Sequence, residues 1–306
     1  MWQYIARKLL IAVPTLLAVS LIVFTVIRLI PGDPARILAG DFATPETVAE
    51  IRAQWGLDRP LPVQYGVYLT RLVRGDLGRS IVSGQPVRRE IVRRYQVTVG
   101  LAVLGSLVAI AMGVLAGVMG ATRPYTAWDY GAMALALTGV STPIFWSGLL
   151  LILLFAVTLN WLPSGGVGSP THYVLPAVSL GYFTAGVVAR QARSSLLEVL
   201  GQDYVRTARA KGLGERAVVY HHALRNSLIP VITVIGIQFG RMLGGAILTE
   251  TVFSLPGMGS YLILAIGQRD YPVVQGVVLT FAASFVLINL AVDMGYAFLD
   301  PRIRHD

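Results

Sequence analysis

Six long apolar runs constrain this chain more than any other feature of its sequence. They cover residues 9–30, 97–121, 131–159, 173–189, 228–248 and 274–298. Most of them approach the ~20 residues that a helix needs to cross the hydrocarbon core of a bilayer. Because unpaired backbone groups are costly in lipid, such runs fold as helices. The sequence therefore predicts an all-α, polytopic integral membrane protein with six transmembrane helices.

The composition agrees with a membrane protein and excludes several other classes. Hydrophobic residues make up 55% of the chain and charged residues 13%, whereas a soluble domain carries about 25% charged residues. The chain has no cysteine, which excludes disulfides, thiolate metal sites and cysteine nucleophiles. Its net charge is +9, but no basic patch interleaved with aromatic residues is present. We therefore predict no binding to nucleic acid.

Two of the runs need separate interpretation. The first run lacks the small-residue cleavage site of a signal peptide, so we expect it to remain as the first span. The third run contains Pro143 in a Ser-Thr-Pro sequence. Since neither half is long enough for a comfortable span, we expect one kinked helix rather than two spans.

The distribution of Lys and Arg predicts the orientation. Short segments on one side of the six spans contain twelve basic residues, from Arg7 and Lys8 to Arg302 and Arg304, and those on the other side contain Arg269 alone. By the positive-inside rule, both termini and the loop at 203–230 lie in the cytoplasm of a multi-pass cell-membrane protein. The arginine-rich segment 31–96 is long enough to be translocated to the outer side of the membrane regardless of its charge.

We divide the chain into three parts. Residues 1–30 form the N-terminal tail and the first span, residues 31–96 a small helical extracytoplasmic segment, and residues 97–306 the core, with a cytoplasmic loop at 190–228. Within the extracytoplasmic segment, Thr44 and Pro45 predict the start of one helix. A second helix follows Pro62, with Tyr65 and Tyr68 on its apolar stripe, and residues 86–95 form a third amphipathic piece. This layer either packs over the spans or contacts an external protein.

Polar and small residues within the spans suggest a passage or close packing. Gly113 and Gly117, and also Gly236, Gly240 and Gly244, recur at a spacing of four, which favours close helix packing in lipid. Arg241 falls in mid-span, where an unpaired charge costs at least ~2.5 kcal/mol. It lines a path, or it pairs with Glu250 or with a partner subunit. The candidate path residues are Gln238, Gly240, Arg241 and Gly244.

The polar stretch 203–230 predicts two short helices joined by a glycine turn. Gly212 and Gly214 separate residues 203–211 from residues 215–224, and Pro230 is expected to open the fifth span. The turn favours a positive φ at Gly212. His221 and His222 are adjacent and point to different faces, so we predict no metal site there. The sequence has no phosphate-binding GxxxxGK[ST] run and no Ser/His/Asp set for catalysis.

Two segments in this stretch carry a family resemblance. Tyr-Val-Arg-Thr-Ala-Arg-Ala-Lys-Gly-Leu at 204–213 and His-Ala-Leu-Arg-Asn-Ser-Leu-Ile-Pro at 222–230 resemble the cytoplasmic EAA loop of the dipeptide/oligopeptide (DppB/OppB-type) permeases of ABC importers. Only Ala208 and Gly212 match the general Glu-Ala-Ala-x-x-x-Gly motif literally, and Arg225 stands where that motif has proline. Segments along the rest of the chain also resemble the family, among them residues 31–34, 57–60, 75–78, 249–253 and 300–302.

The resemblance implies a type I ABC importer permease fold and a membrane subunit that is not an enzyme. Such a subunit forms half of the path for di- or oligopeptides, with nickel chelates and glutathione as alternative cargoes of the same machine. It implies four kinds of partner: a second, homologous but non-identical permease chain, two ATPase chains that bind ATP and Mg, an extracytoplasmic substrate-binding protein, and membrane lipid. It implies no cofactor on this chain. The ATPase-coupling residues would be Arg206, Thr207, Ala208, Ala210, Lys211, Gly212 and Leu213.

Two other classes of membrane protein fit the sequence less well. A secondary transporter usually has more spans and an inverted internal repeat, which this sequence does not display. An intramembrane enzyme requires paired catalytic groups at membrane depth, and the spans offer none. The sequence therefore favours a permease subunit.

Overall fold

The computed structural model describes residues 2–29, 32–40 and 42–299. The described part of the chain is helical, and its only bridge of β type joins Arg79 and Pro86. The α-helices are α1 Trp2–Leu29, α2 Pro34–Ala39, α3 Pro45–Gln54, α4 Leu61–Val73, α5 Val87–Thr122, α6 Ala127–Ser141, α7 Ile144–Leu151, α8 Val174–Leu200, α9 Asp203–Ala210, α10 Glu215–Ala217, α11 Leu224–Val252, α12 Met258–Gly267 and α13 Tyr271–Leu299. Wide π turns follow α7 at Ile152–Thr158 and α10 at Val218–Ala223, and a 3₁₀ turn at Pro170–Tyr173 precedes α8.

Some sequence predictions fall outside the described residues. Pro31 and residues 300–302, which belong to the segments that resemble the family, lie outside them. So do Arg302 and Arg304, two of the basic residues that predict the orientation.

Five helical stretches of the described chain are long and apolar enough to cross a membrane, and a bent pair makes a sixth if it is one span. The five stretches are Ala6–Leu29, Val87–Thr122, Pro170–Leu200, Glu215–Val252 and Tyr271–Gly295. The pair is Ala127–Ser141 with Ile144–Thr158. Together they confirm the all-α, polytopic architecture.

The third run is broken at Pro143 more sharply than a kink. The helix direction bends by 107° between its two halves. Thr142 is extended, at φ −95° and ψ 127°, because the proline ring disfavours the helical conformation in the residue before it. Pro143 itself has no N–H to continue the ladder. Helix α7 therefore starts afresh at Ile144.

Three helices are longer or more continuous than the apolar pattern predicts. Helix α5 takes in the amphipathic piece at 86–95 and spans 36 residues, about 54 Å. Helix α8 continues to Leu200 instead of ending near residue 189. Pro230 lies inside a helix that runs from Glu215 to Val252 and does not open a new one. In all three cases, polar residues end the apolar run in the sequence, but the helix continues through them.

The chain folds into two compact units. One comprises Met1–Val97 with Pro256–Val286, and the other Thr98–Leu255 with Leu287–Asp306.

In the first unit, α4 packs on α1 through aromatic rings. The Phe24 ring lies 5.0 Å from that of Tyr65 and 6.1 Å from that of Tyr68, measured between centroids. The Tyr65 hydroxyl is 2.9 Å from Ser20 Oγ. The predicted stripe on α4 is therefore a half-buried contact surface, and the Thr44 side chain caps α3 as predicted. Of the two roles left open for this layer, packing on α1 is the one these contacts support.

A buried carboxylate fastens the loop before α5 to the start of α13. Asp270 accepts hydrogen bonds from Ser80 Oγ, from Ile81 N at 3.1 Å and from Val82 N at 3.4 Å. Three donors on one carboxylate satisfy a charge that would otherwise be costly to bury.

In the second unit, glycines let α5 and α8 approach closely. A Cβ on Gly113 would lie 2.7 Å from Val188 Cβ, and a Cβ on Gly117 would lie 2.6 Å from Ala192 Cβ. This confirms close packing for that pair. In α11, Gly236 packs against Val292, but a Cβ on Gly244 would have no heavy atom within 4 Å. The predicted packing therefore does not extend to Gly244.

Candidate functional site

Helix α9 is a short amphipathic helix with one buried side. Val205 and Ala208 are buried, at 0% and 7% exposure, and the other side chains of the helix are exposed. Their spacing of three places both on one face. Arg206 and Arg209 are exposed around this buried side, and the exposed Lys211 follows directly. The helix thus offers a cationic outer surface on an apolar base.

The apolar base of α9 rests on the ends of the neighbouring membrane helices. Val205 and Ala208 belong to one core cluster with Val118 of α5, Leu196 of α8 and Val218, in the turn that leads into α11. Burial of the valine and leucine side chains contributes roughly 1.5–3 kcal/mol each. Helix α9 therefore shares one apolar cluster with the ends of α5 and α8 and with the turn before α11.

The turn after α9 has the left-handed geometry predicted for Gly212. Gly212 has φ +78°, which a residue with a Cβ adopts at a cost of about 1–2 kcal/mol. Its N–H donates to Arg209 O at 2.9 Å, and Leu213 N donates to Ala208 O at 3.4 Å. These bonds cap the last carbonyls of the helix. The space around Gly212 is open, so only the backbone conformation demands glycine.

The structure brings the seven proposed coupling residues together, but not all on one surface. Arg206, Thr207, Ala210, Lys211 and Leu213 are exposed, and Leu213 shows 42% of its surface. Arg206 lies 3.5 Å from Asp203 in an exposed ion pair. Thr207 Oγ1 donates back to Asp203 O at 2.9 Å. Ala208 instead packs inward, so its part is support rather than surface contact.

Two further interactions at this site were not predicted. Arg209 Nε donates to Glu215 Oε1 at 2.6 Å, which clamps the two sides of the glycine turn. Asn226 Nδ2 donates to the Tyr204 hydroxyl at 2.8 Å, which joins α9 to α11. Opposite charges on either side of a glycine turn are a signal for the first. The second links residues 22 apart in sequence, and no local pattern indicates it.

The four candidate path residues lie on α11 and are divided between its two sides. Arg241 is exposed and donates to Gln238 Oε1 at 3.2 Å. Gln238 and Gly240 are buried, whereas Gly244 is exposed. Glu250, the other suggested partner of Arg241, is fully buried and accepts from Thr98 Oγ1 at 2.6 Å. The chain itself thus supplies Arg241 with a neutral partner.

The exposed side of α11 forms a continuous stripe. Its members, spaced three or four residues apart, are Ile237, Arg241, Gly244, Leu248 and Thr251. The charge of an arginine within a membrane span costs free energy unless water or protein surrounds the side chain, and one neutral partner does not neutralise it. This face therefore requires a polar lumen or another chain.

The described residues contain no group of three or more His, Asp or Glu side chains that could hold a metal ion. The adjacent His221 and His222 pack edge to face, with ring centroids 5.3 Å apart. This contact follows from their positions in the wide turn at Val218–Ala223.

Family models match both parts of the sequence. The family described as "Binding-protein-dependent transport system inner membrane component" matches residues 109–305. A model of the N-terminal part of the same kind of component matches residues 1–102. The chain belongs to this family. It is a multi-pass inner-membrane protein and a permease subunit of ABC importers.

Curated relatives extend over the whole chain. It is 46% identical over 305 residues to the glutathione transport system permease protein GsiC of Salmonella typhi, with 100% of both chains covered. It is 42% identical over 333 residues to the dipeptide transport system permease protein DppB of Alkalihalophilus pseudofirmus, also with 100% of both covered. The dipeptide-type branch suggested by residues 204–213 is thus confirmed.

Solved structures share the fold. The inward-facing MetNI methionine ABC transporter matches with a TM-score of 0.59 at 20% identity, covering 70% of this chain and 98% of that chain. An amino acid ABC transporter matches with a TM-score of 0.51 at 14% identity, covering 71% of this chain and 95% of that one. At these identities the likeness establishes the type I importer permease fold alone.

Proposed function

We propose that α9 and the turn at Gly212 form the element through which a partner ATPase drives this permease. Arg206, Thr207, Ala210, Lys211, Gly212 and Leu213 form the docking surface, and Ala208 supports it from within. Arg209 also belongs to the surface, because its bond to Glu215 fixes the shape of the turn. The observation that carries the proposal is the packing of Val205 and Ala208 against the ends of three membrane helices.

The mechanism is mechanical. A docked α9 moves with the ATPase when nucleotide closes it. Since α9 packs on α5, α8 and the turn before α11, its displacement tilts these helices as a rigid group. Access to the path then alternates between the two sides of the membrane.

The proposed assembly contains a second, homologous but non-identical permease, two ATPase chains and an extracytoplasmic substrate-binding protein. The ATPases bind ATP and Mg and carry out the chemistry, and the lack of a GxxxxGK[ST] run in this chain supports that assignment. This subunit is therefore non-catalytic and needs no cofactor. The second permease, or the lumen between the two, covers the exposed face of α11.

The proposed orientation places α9 and both termini in the cytoplasm and residues 31–96 outside. The excess of Lys and Arg in the short segments around α9 supports this orientation. The three-part division at residues 30 and 96 belongs to the same proposal.

We propose peptides as the transported class, with glutathione as the second candidate. The GsiC and DppB relatives, named for glutathione and dipeptide transport, support this choice. Both cargoes are peptides and carry carboxylates. Arg241, exposed on α11, supplies a positive charge that suits them, and Gln238, Gly240 and Gly244 complete the proposed path. Nickel chelates remain the alternative cargo for the same branch.

The docking proposal is tested by pairing two substitutions at one position. Gly212→Val forces a β-branched residue into the left-handed region, whereas Gly212→Asn places there a residue that tolerates it. We expect the valine variant to insert in the membrane but to lose co-purification with the ATPase and ATP-driven uptake. The asparagine variant should retain both. Equal ATPase binding by the two variants would show that the turn does not shape the docking surface.

The substrate proposal needs the complete transporter. Uptake of a labelled dipeptide and of labelled glutathione into vesicles that contain all subunits gives the direct comparison. We expect one of the two to accumulate in an ATP-dependent manner, and Arg241→Gln to reduce that uptake. A labelled nickel chelate is assayed in the same vesicles, and its accumulation without uptake of either peptide would reject the peptide proposal.

A further inference from the structure

A cavity of about 200 Å³ lies within the first unit, where α1 ends and α13 begins. Four arginine side chains line it: Arg28, Arg59, Arg71 and Arg79. Asp76 is the one acidic residue of the lining, and its Oδ1 already accepts from Gly78 N at 2.9 Å. The lining thus carries four positive charges against one negative charge.

Within the described residues, these guanidinium groups find only neutral partners. Arg28 donates to Gln64 Oε1 and to Phe24 O, each at 3.1 Å. Arg79 donates to Gly84 O at 3.2 Å. No carboxylate of the described chain forms an ion pair with any of the four. Such a concentration of like charge raises the local anion concentration and favours an anionic occupant.

A buried amide in the same lining lacks a hydrogen-bond partner. Gln275, in the second turn of α13, is 6% exposed, and its Nε2 donates to no atom of the described chain. An unsatisfied buried donor costs about 1–3 kcal/mol. A bound ligand with an acceptor atom would give the Gln275 amide its missing hydrogen bond, which would explain why this donor lies beside the arginines.

The cavity lies at the level of a membrane–water boundary. Arg28 is in the last turn of the span Ala6–Leu29, and the span Tyr271–Gly295 begins beside it. Trp55, Tyr68 and Tyr271 also line the cavity, and such aromatic residues concentrate at membrane interfaces. Burial raises the pKa of Tyr68 to about 12, so its phenol adds no negative charge to the cavity.

We propose that this cavity is a binding site for a phosphate group, held by Arg28, Arg59, Arg71 and Arg79 with Gln275 as a neutral donor. The forked guanidinium groups suit the geometry of a phosphate oxyanion. A volume of 200 Å³ equals roughly seven water molecules, which is room for a phosphate and its first ester substituent. The group is either the headgroup of an anionic phospholipid or free phosphate. The site does not depend on the proposed ATPase docking or on the transported substrate.

The test is a binding titration of the full-length chain purified in detergent. The probes are short-chain phosphatidylglycerol, short-chain phosphatidylcholine and inorganic phosphate, with thermal stabilisation as the readout. We expect saturable stabilisation by phosphatidylglycerol or by inorganic phosphate, and the stronger of the two identifies the source. Phosphatidylcholine should bind more weakly because the arginines repel its choline group.

Two substitutions and one control separate the site from general charge attraction. Arg71→Gln should weaken binding about tenfold, the effect of one lost charge-assisted hydrogen bond. Arg74→Gln removes the same charge three residues away and outside the cavity, and it should leave binding unchanged. Gln275→Met should weaken binding while raising the stability of the ligand-free chain, because it removes the unsatisfied donor. Equal weakening by the two arginine variants, or no saturable binding of either phosphate probe, would overturn the proposal.

Discussion

At the scale of single residues, burial decides how much a charge pair matters. Arg193 contacts Asp129 through two bonds, Nε to Oδ1 at 2.7 Å and an amino nitrogen to Oδ2 at 2.6 Å, and Asp129 is 2% exposed. The pair of Arg206 and Asp203 is exposed and 3.5 Å long. A buried carboxylate without its partner is strongly destabilising, whereas an exposed pair contributes about 0–1 kcal/mol.

We predict that Arg193→Gln lowers the unfolding free energy by about 3–5 kcal/mol, because it leaves the Asp129 carboxylate buried and unpaired. Arg206→Gln should cost less than about 1 kcal/mol. The double variant Arg193→Gln with Asp129→Asn should recover much of the loss. Thermal unfolding in detergent measures all three, and a double variant no more stable than the single one would contradict this account.

At the scale of the helix, one hydrogen bond joins α9 to α11. The Tyr204 hydroxyl accepts from Asn226 Nδ2 at 2.8 Å. Both residues are exposed, so the bond contributes only about 0.5–1.5 kcal/mol to stability. Its importance lies in orientation, since it fixes α9 against the start of the span.

We expect Tyr204→Phe to lower the amount of substrate moved per ATP hydrolysed, with normal membrane insertion. Tyr220→Phe is the matched control, because Tyr220 is exposed and its hydroxyl forms no hydrogen bond within the described chain. Reconstituted vesicles give both rates for each variant. An unchanged ratio in the Tyr204 variant would mean that packing alone holds α9.

Helix packing makes a second prediction within α5. A Cβ on Gly117 would lie 2.6 Å from Ala192 Cβ and 2.7 Å from Ala189 O, whereas a Cβ on Gly100 would meet nothing within 4 Å. Gly117→Ala should therefore cost about 1–3 kcal/mol through overpacking. Gly100→Ala should be neutral or stabilising by up to about 1 kcal/mol, because alanine favours the helix. We expect the melting temperature of the Gly117 variant to fall and that of the Gly100 variant to stay unchanged or rise.

Local signals explain which elements the sequence could predict. Apolar runs identified the spans, Thr44 and Pro45 identified the start of α3, and the break between two polar helices identified the positive φ of Gly212. Each depends on residues close in sequence. The full length of α8 and the bond from Tyr204 to Asn226 depend on packing between distant segments, which composition does not encode. For the same reason, the inward position of Ala208 could not be predicted from the family resemblance.

At the scale of the whole molecule, the absence of native cysteine makes the orientation directly measurable. Arg216 and Val73 are exposed, and the proposed topology places them on opposite sides of the membrane. In intact cells, we expect a membrane-impermeant thiol reagent to label Val73→Cys and to spare Arg216→Cys until the cells are opened. The unsubstituted chain is the blank, since it has no thiol. Labelling of Arg216→Cys in intact cells would contradict the proposed orientation and would place α10 outside.

Because the helix continues through Pro230, a rotation at one of its ends displaces the other end. From Glu215 to Val252 the helix has 38 residues, or about 57 Å at 1.5 Å per residue. A rod of that length that pivots about one end by roughly 5° carries its other end about 5 Å, close to one turn of helix. In the proposed coupling, a small rotation imposed by the ATPase would therefore move the far end of the helix, beside Thr251, by several ångströms. A helix broken at Pro230 would bend at that point instead and move its far end less.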